Sequence, residues 1–160
     1  MLMNTNPKND PLPFGVKDSC QLGYFHECMS GFEHQVASHM MAEGMTDEAL
    51  LLTKTIHDRY HASKRNQFNE VECSDHYARA MASYGTFINA CGFQYHGPKG
   101  YIRFAPRWNK TNFSSSFTAA EGWGTYIQQF SKKAWAYQIK LKYGSLSLST
   151  ISLQTDLNKI

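Results

Sequence analysis

Residues 64–79 read KRNQFNEVECSDHYAR and gather the carboxylates of Glu70, Glu72 and Asp75 with Cys73, His76, Arg65 and Arg79. Metal binding is the first chemistry such a set suggests. Cys73 and His76 stand three apart, and His57 and His61, four apart, share a helical face. A zinc site needs three or four ligands at matched spacing, and HDRYH lacks the glutamate that follows the first histidine in the zinc-protease helix motif. The expectation is therefore no metal and no cofactor. On this reading His57 and His61 lie on a wet helical face, and Cys73 acts as a small apolar group.

Carboxylate chemistry is the second possibility. In an extended segment Glu70 and Glu72 point to one side with Cα atoms about 6.6 Å apart. That spacing falls within the about 6.5–9.5 Å of inverting glycosidases, against about 5–5.5 Å for retaining ones. Two acids on one strand nevertheless cannot flank a bond from both sides of a sugar, and both also suit a nearby helix N-terminus. Arg79 shares a helical stripe with Asp75, Ala82 and Thr86, small or polar residues able to border a cavity. A guanidinium fork suits fixed hydrogen bonding there, while an Asp75–Arg79 pair on a solvated face is the ordinary alternative.

These residues need elements to position them. Residues 4–14 are rich in Asn and Pro and predict an extended leader. From Ser30, Phe32, Val36 and Met40 with Ala37 and Met41 recur at helical spacing up to a left-handed cap at Gly44. Thr46 is an N-cap candidate for a second helix with Leu51, Leu52 and Ile56 inside, so the two form a hairpin. Ser74 caps a third, with Tyr77, Met81, Tyr84 and Ile88 as its buried stripe and Gly92 beyond its end. YHGPKG then reads as a turn, and YIRFAP as a short strand stopped by Pro106. Alternation of Trp135, Tyr137, Ile139 and Leu141, a KYGS turn, and Leu146 with Leu148 predict a β-hairpin over about 134–153, with a bulge near Thr150 where the phase slips.

The whole chain, 160 residues with 42% hydrophobic and 14% aromatic content, fits one packed region. Its formal charge is +3, with the basic residues scattered apart from pairs such as Lys64-Arg65 and Lys132-Lys133. No phosphate-tracking stripe results, and nucleic acid is not an expected partner. Cys20, Cys28, Cys73 and Cys91 form no CxxC pair and follow no secretory leader, which predicts reduced thiols and a cytoplasmic location. Apolar runs fall far short of the roughly 20 residues a membrane helix needs. The sequons at Asn109 and Asn112 are accordingly expected to stay unmodified.

Three blocks carry a family resemblance: NEVECSDHYARAMASYG at 69–85, ACGFQYHGPKGYIRFAPR at 90–107 and FTAAEGWGT at 117–125. Together with ECMSGFEHQVASHMMAEGMTDEAL at 27–50, they resemble the C-terminal part of glycoside hydrolase family 116, the non-lysosomal glucosylceramidase type of β-glucosidase. The resemblance implies a mainly α fold, a partial α/α toroid of helical hairpins with a C-terminal β-hairpin. It implies a single region over 1–160, helical over about 28–92, with loops and short strands over about 93–133. It also implies a retaining mechanism whose nucleophile and acid/base precede the matched residues, so that this chain is a C-terminal piece holding neither. Glu70 and Arg79 fall on the family's glucose-binding positions, and the substrate would be a glucoside or a glucosylated lipid. Glu121 and Trp123 of EGWG, and His96, are further candidates for the pocket rim. A non-catalytic carbohydrate-binding or interaction module and a helical metal-binding domain are the alternatives.

Overall fold

The computed structural model describes residues 29–60, 63 and 80–154. Among them lie three α-helices, α1 (Ser30–Ala42), α2 (Thr46–Arg59) and α3 (Ala80–Cys91), and six strands. The strands are β1 (Gln94–His96), β2 (Tyr101–Phe104), β3 (Asn112–Thr118), β4 (Gly122–Ser131), β5 (Ala134–Gly144) and β6 (Thr150–Leu153). The chain divides into two compact units: 29–38, 47–60, 63 and 80–85 of the described residues form one, and 39–46 with 86–154 the other. Helix and strand contribute about equally, so the fold is mixed α and β, and the mainly α toroid implied by the resemblance is wrong.

The C-terminal ends of α1 and α3 obey the expected chemistry, while Thr46, expected as an N-cap, is the first helical residue of α2, and Ser74 lies outside the described residues. Gly44 sits at φ 87° and Gly92 at φ 54°, the left-handed region that a residue without Cβ enters at little cost. Met45 N–H donates to Met40 O at 2.9 Å and Gly44 N–H to Met41 O at 3.3 Å. The same two-bond closure recurs where Phe93 N–H meets Ile88 O and Gly92 N–H meets Asn89 O. The inner faces differ from those expected. Ala37 and Met41 are buried on α1 while Phe32 and Val36 are exposed; Ala49 and Ile56 are buried on α2 while Leu51 is 66% exposed. On α3 Thr86 and Cys91 are buried and Met81 is 89% exposed. Ala37, Met41 and Ile56 lie inside as expected, whereas Phe32, Val36, Leu51, Met81 and Tyr84 of the expected stripes are exposed and the small or polar Ala49, Thr86 and Cys91 are buried.

In the helical unit the start of α1 meets the end of α2. Arg59 pairs through both terminal nitrogens with the Glu33 carboxylate, Nη1 to Oε1 at 3.3 Å and Nη2 to Oε2. The Ser30 and Tyr60 hydroxyls are joined at 3.0 Å.

The β unit holds two three-stranded sheets, ordered β1-β2-β6 and β3-β4-β5. β1 is antiparallel and β6 parallel to β2; β3, β4 and β5 form an antiparallel meander. Ile102 and Phe104 from β2 meet Phe113 and Phe117 of β3 and Tyr126 of β4 in one core. Phe104 stacks on Tyr126 at 3.9 Å and 3° and meets Phe117 edge-on at 5.6 Å.

The expected hairpin over 134–153 is corrected in the same unit. β5 pairs back with β4 through a two-residue turn at Lys132 and Lys133, whose φ values of 50° and 63° are the positive pair that a tight hairpin with right-handed twist demands. Residues 145–149 then cross to the other sheet, where β6 pairs with β2. The phase slip before Ile151 is that change of sheet, not a bulge at Thr150; the irregularity lies between Trp123 and Gly124.

Candidate functional site

Glu70 and Arg79 lie outside the described residues, as do Asn69, Glu72, Cys73, Asp75, His76 and His61. Their flanks are described. Upstream, Arg59 and Tyr60 are fastened to α1 as above. Downstream, α3 opens at Ala80, directly after Arg79 in the chain.

A cleft of about 460 Å³ runs between α1 and α3 within the helical unit. Gly31, Phe32, Gln35 and Ser38 line it from α1, and Met81, Ala82 and Gly85 from α3. Gly85 sets the spacing, since a Cβ there would lie 3.3 Å from Ser38 Oγ. The cleft offers an apolar floor, a half-exposed aromatic ring at Phe32, and an amide and hydroxyl from Gln35 and Ser38. Its volume lies in the range of small-molecule sites. Of the stripe expected to border a cavity with Arg79, Ala82 does line one, whereas Thr86 is buried.

Beside this cleft the Glu33–Arg59 pair satisfies a buried carboxylate, and Arg59 also lies 5.9 Å from the centroid of the Tyr60 ring. Burial holds the His34 imidazole below its ordinary range; the neighbouring Glu33 opposes that shift and Arg59 adds to it.

The other candidates resolve individually. His57 is exposed on α2. His96 caps the one-turn 3₁₀ helix Gly97–Lys99, its Nδ1 accepting from Lys99 N–H at 3.3 Å. Trp123 is 50% exposed, contrary to the packing role a tryptophan usually serves, and Glu121 is exposed beside it. Trp123 pairs across the strands with Tyr143, itself 70% exposed. Cys91 is a free buried thiol, pushed up in pKa by its burial while the Ser115 hydroxyl works the other way. Among the described residues no three His, Cys, Asp or Glu side chains gather as a metal site, and no helix is long and apolar enough to cross a membrane.

One signal in the sequence escaped a reading based on net charge. Residues 86–154 carry six lysines and two arginines against the single carboxylate of Glu121, whereas residues 1–85 carry seven Lys and Arg against eleven Asp and Glu. The modest +3 hides an acidic half and a basic half. Within the basic half, Tyr95, His96, Lys99, Tyr101 and Thr150 line a second hollow that no motif announced. No family model matches this chain, and no curated protein matches it either.

Proposed function

We propose that this chain supplies the glucose-gripping part of a retaining β-glucosidase of the glucosylceramidase-like type, acting in the cytoplasm on a glucoside or glucosylated lipid. Glu70 accepts hydrogen bonds from sugar hydroxyls and Arg79 donates to others, holding the ring for attack by carboxylates that lie outside the matched blocks. The reading rests on the residue pattern at 69–85. The observation that carries it further is the α1–α3 cleft, because its wall on α3 begins two residues after Arg79.

In a complete enzyme carrying this segment, Glu70→Gln should lower kcat/KM for an aryl β-glucoside by about a hundredfold, the loss expected when a contact that strengthens toward the transition state is removed. An unchanged kcat/KM would discard the role given to Glu70. The chain alone should bind methyl β-glucoside without hydrolysing the aryl glucoside.

A second reading, a non-catalytic carbohydrate-binding module, is favoured by one observation: the exposed Trp123–Tyr143 pair on strands β4 and β5. If that reading holds, Trp123→Ala abolishes glucoside binding by the chain and Glu70→Gln leaves it unchanged.

A further inference from the structure

At one end of the β1-β2-β6 sheet, His96, Tyr101 and Thr150 stand side by side in register on three adjacent strands. Gln94, Tyr95 and Lys99 join them around an open hollow of about 500 Å³. The hollow is built by fixed backbone. Gly100, at φ 56°, donates to Gly97 O at 2.8 Å, and its own carbonyl accepts from Ser149 at 2.7 Å and Thr150 at 3.0 Å. A Cβ at Gly100 would lie 2.8 Å from Ser149 N, and one at Gly97 3.1 Å from Tyr95 Oη. Two glycines thus let the turn carrying Lys99 close onto the strands.

The electrostatics have one sign. Lys99 makes no ion pair among the described residues, Arg103 lies two positions from Tyr101 on the same strand, and Glu121 is the single carboxylate of residues 86–154. His96 spends Nδ1 on the Lys99 N–H, which leaves Nε2 for a ligand. The tyrosine rings supply apolar faces, and their hydroxyls, the Gln94 amide and the Thr150 hydroxyl supply neutral hydrogen-bonding groups.

From this arrangement we infer that the hollow is a binding site for a monosaccharide bearing an anionic group, a phosphate or a carboxylate. The anion meets Lys99 and His96, the ring lies against tyrosine, and the sugar hydroxyls meet Gln94 and Thr150. A neutral sugar leaves the Lys99 ammonium unmatched, and a bare anion leaves the aromatic wall unused. The inference involves neither Glu70 nor Arg79, so it stands or falls apart from the glucosidase reading.

The test is an amide-resolved NMR titration of the full chain with four probes: glucose 6-phosphate, glucuronate, glucose and inorganic phosphate. At least one anionic sugar should shift the amide signals of residues 94–101 and 150, with glucose and phosphate each binding at least about tenfold more weakly, the weight of one charge-assisted hydrogen bond. Which anionic sugar binds tells phosphate from carboxylate. Lys99→Ala, at an exposed position, should cost about tenfold in affinity with the rest of the spectrum unchanged, and Lys99→Arg should keep binding. The inference is overturned if no probe shifts these signals, if glucose or phosphate alone binds as tightly as the anionic sugars, or if Lys99→Ala binds as the parent does.

Discussion

In the helical unit Glu33 reaches Arg59 and Ser30 reaches Tyr60 across the α1–α2 hairpin, while Phe32, Leu51 and, on α3, Met81 stay exposed. The β unit instead closes on Phe104, stacked against Tyr126 and flanked by Phe93 and Phe117, with the few polar side chains it buries, Gln128 and Ser115 among them, set around that aromatic core. One unit is specified by a few directional bonds and the other by packed aromatic volume. Directional bonds fail singly and abruptly, because a buried partner left alone keeps its desolvation cost. A packed core fails in proportion to the volume removed. The helical unit also presents apolar side chains flanking its cleft, while the β unit has an aromatic core of its own.

The strongest way to break this contrast is Phe104→Ala. Removing a fully buried ring that touches three others should destabilise the β unit by about 3–5 kcal/mol. All three tryptophans, Trp108, Trp123 and Trp135, fall in residues 86–154, so the fluorescence midpoint in denaturant reports that unit. A loss under about 1 kcal/mol would mean that the aromatic layer is not what holds the sheets.

Arg59→Met sharpens the other side. It removes the ion pair from the buried Glu33 carboxylate and should cost about 3 kcal/mol, read from the helical circular-dichroism signal. Adding Glu33→Leu should recover most of that loss, since two apolar groups replace the pair. Equal losses in the single and double variants would show that volume, not charge, fixes the hairpin.

The same contrast explains what the sequence disclosed. Helix ends were legible because Gly44 and Gly92 do a job that few other residues can do, and the short strand before Pro106 was legible for the same reason. β3 and β4 were not. On β4 the residues turned inward include Gly122, Gly124 and Gln128, while Trp123 faces out, so the apolar alternation that marks a strand is inverted. On β3 a buried Ser115 sits between Phe113 and Phe117 and blurs the period. The β4–β5 turn escaped because its positive-φ pair is Lys132-Lys133 in place of the usual Asn-Gly. The pair Glu70 and Arg79, proposed to grip the sugar, was read from a motif on residues outside those described, whereas the hollow around Lys99 arises from three strands brought together by topology, which no local pattern encodes.

Mild acid gives the smallest expected effect and the most selective one. His34 lies in the helical unit, and its folded-state pKa is lowered, chiefly by burial. Above the ordinary histidine value of about 6.5 neither folded nor unfolded chain holds a proton there, and stability is complete. Below it the unfolded chain takes up a proton that the folded chain resists, so stability falls as pH drops from that value through the lower folded one, then levels off. Helical circular dichroism in denaturant should therefore show a lower midpoint at pH 5 than at pH 7.5. His34→Gln, which cannot titrate, should show a smaller drop, and the tryptophan midpoint should change no differently in variant and parent. An identical drop in both proteins would remove His34 from the account of the helical hairpin's acid response.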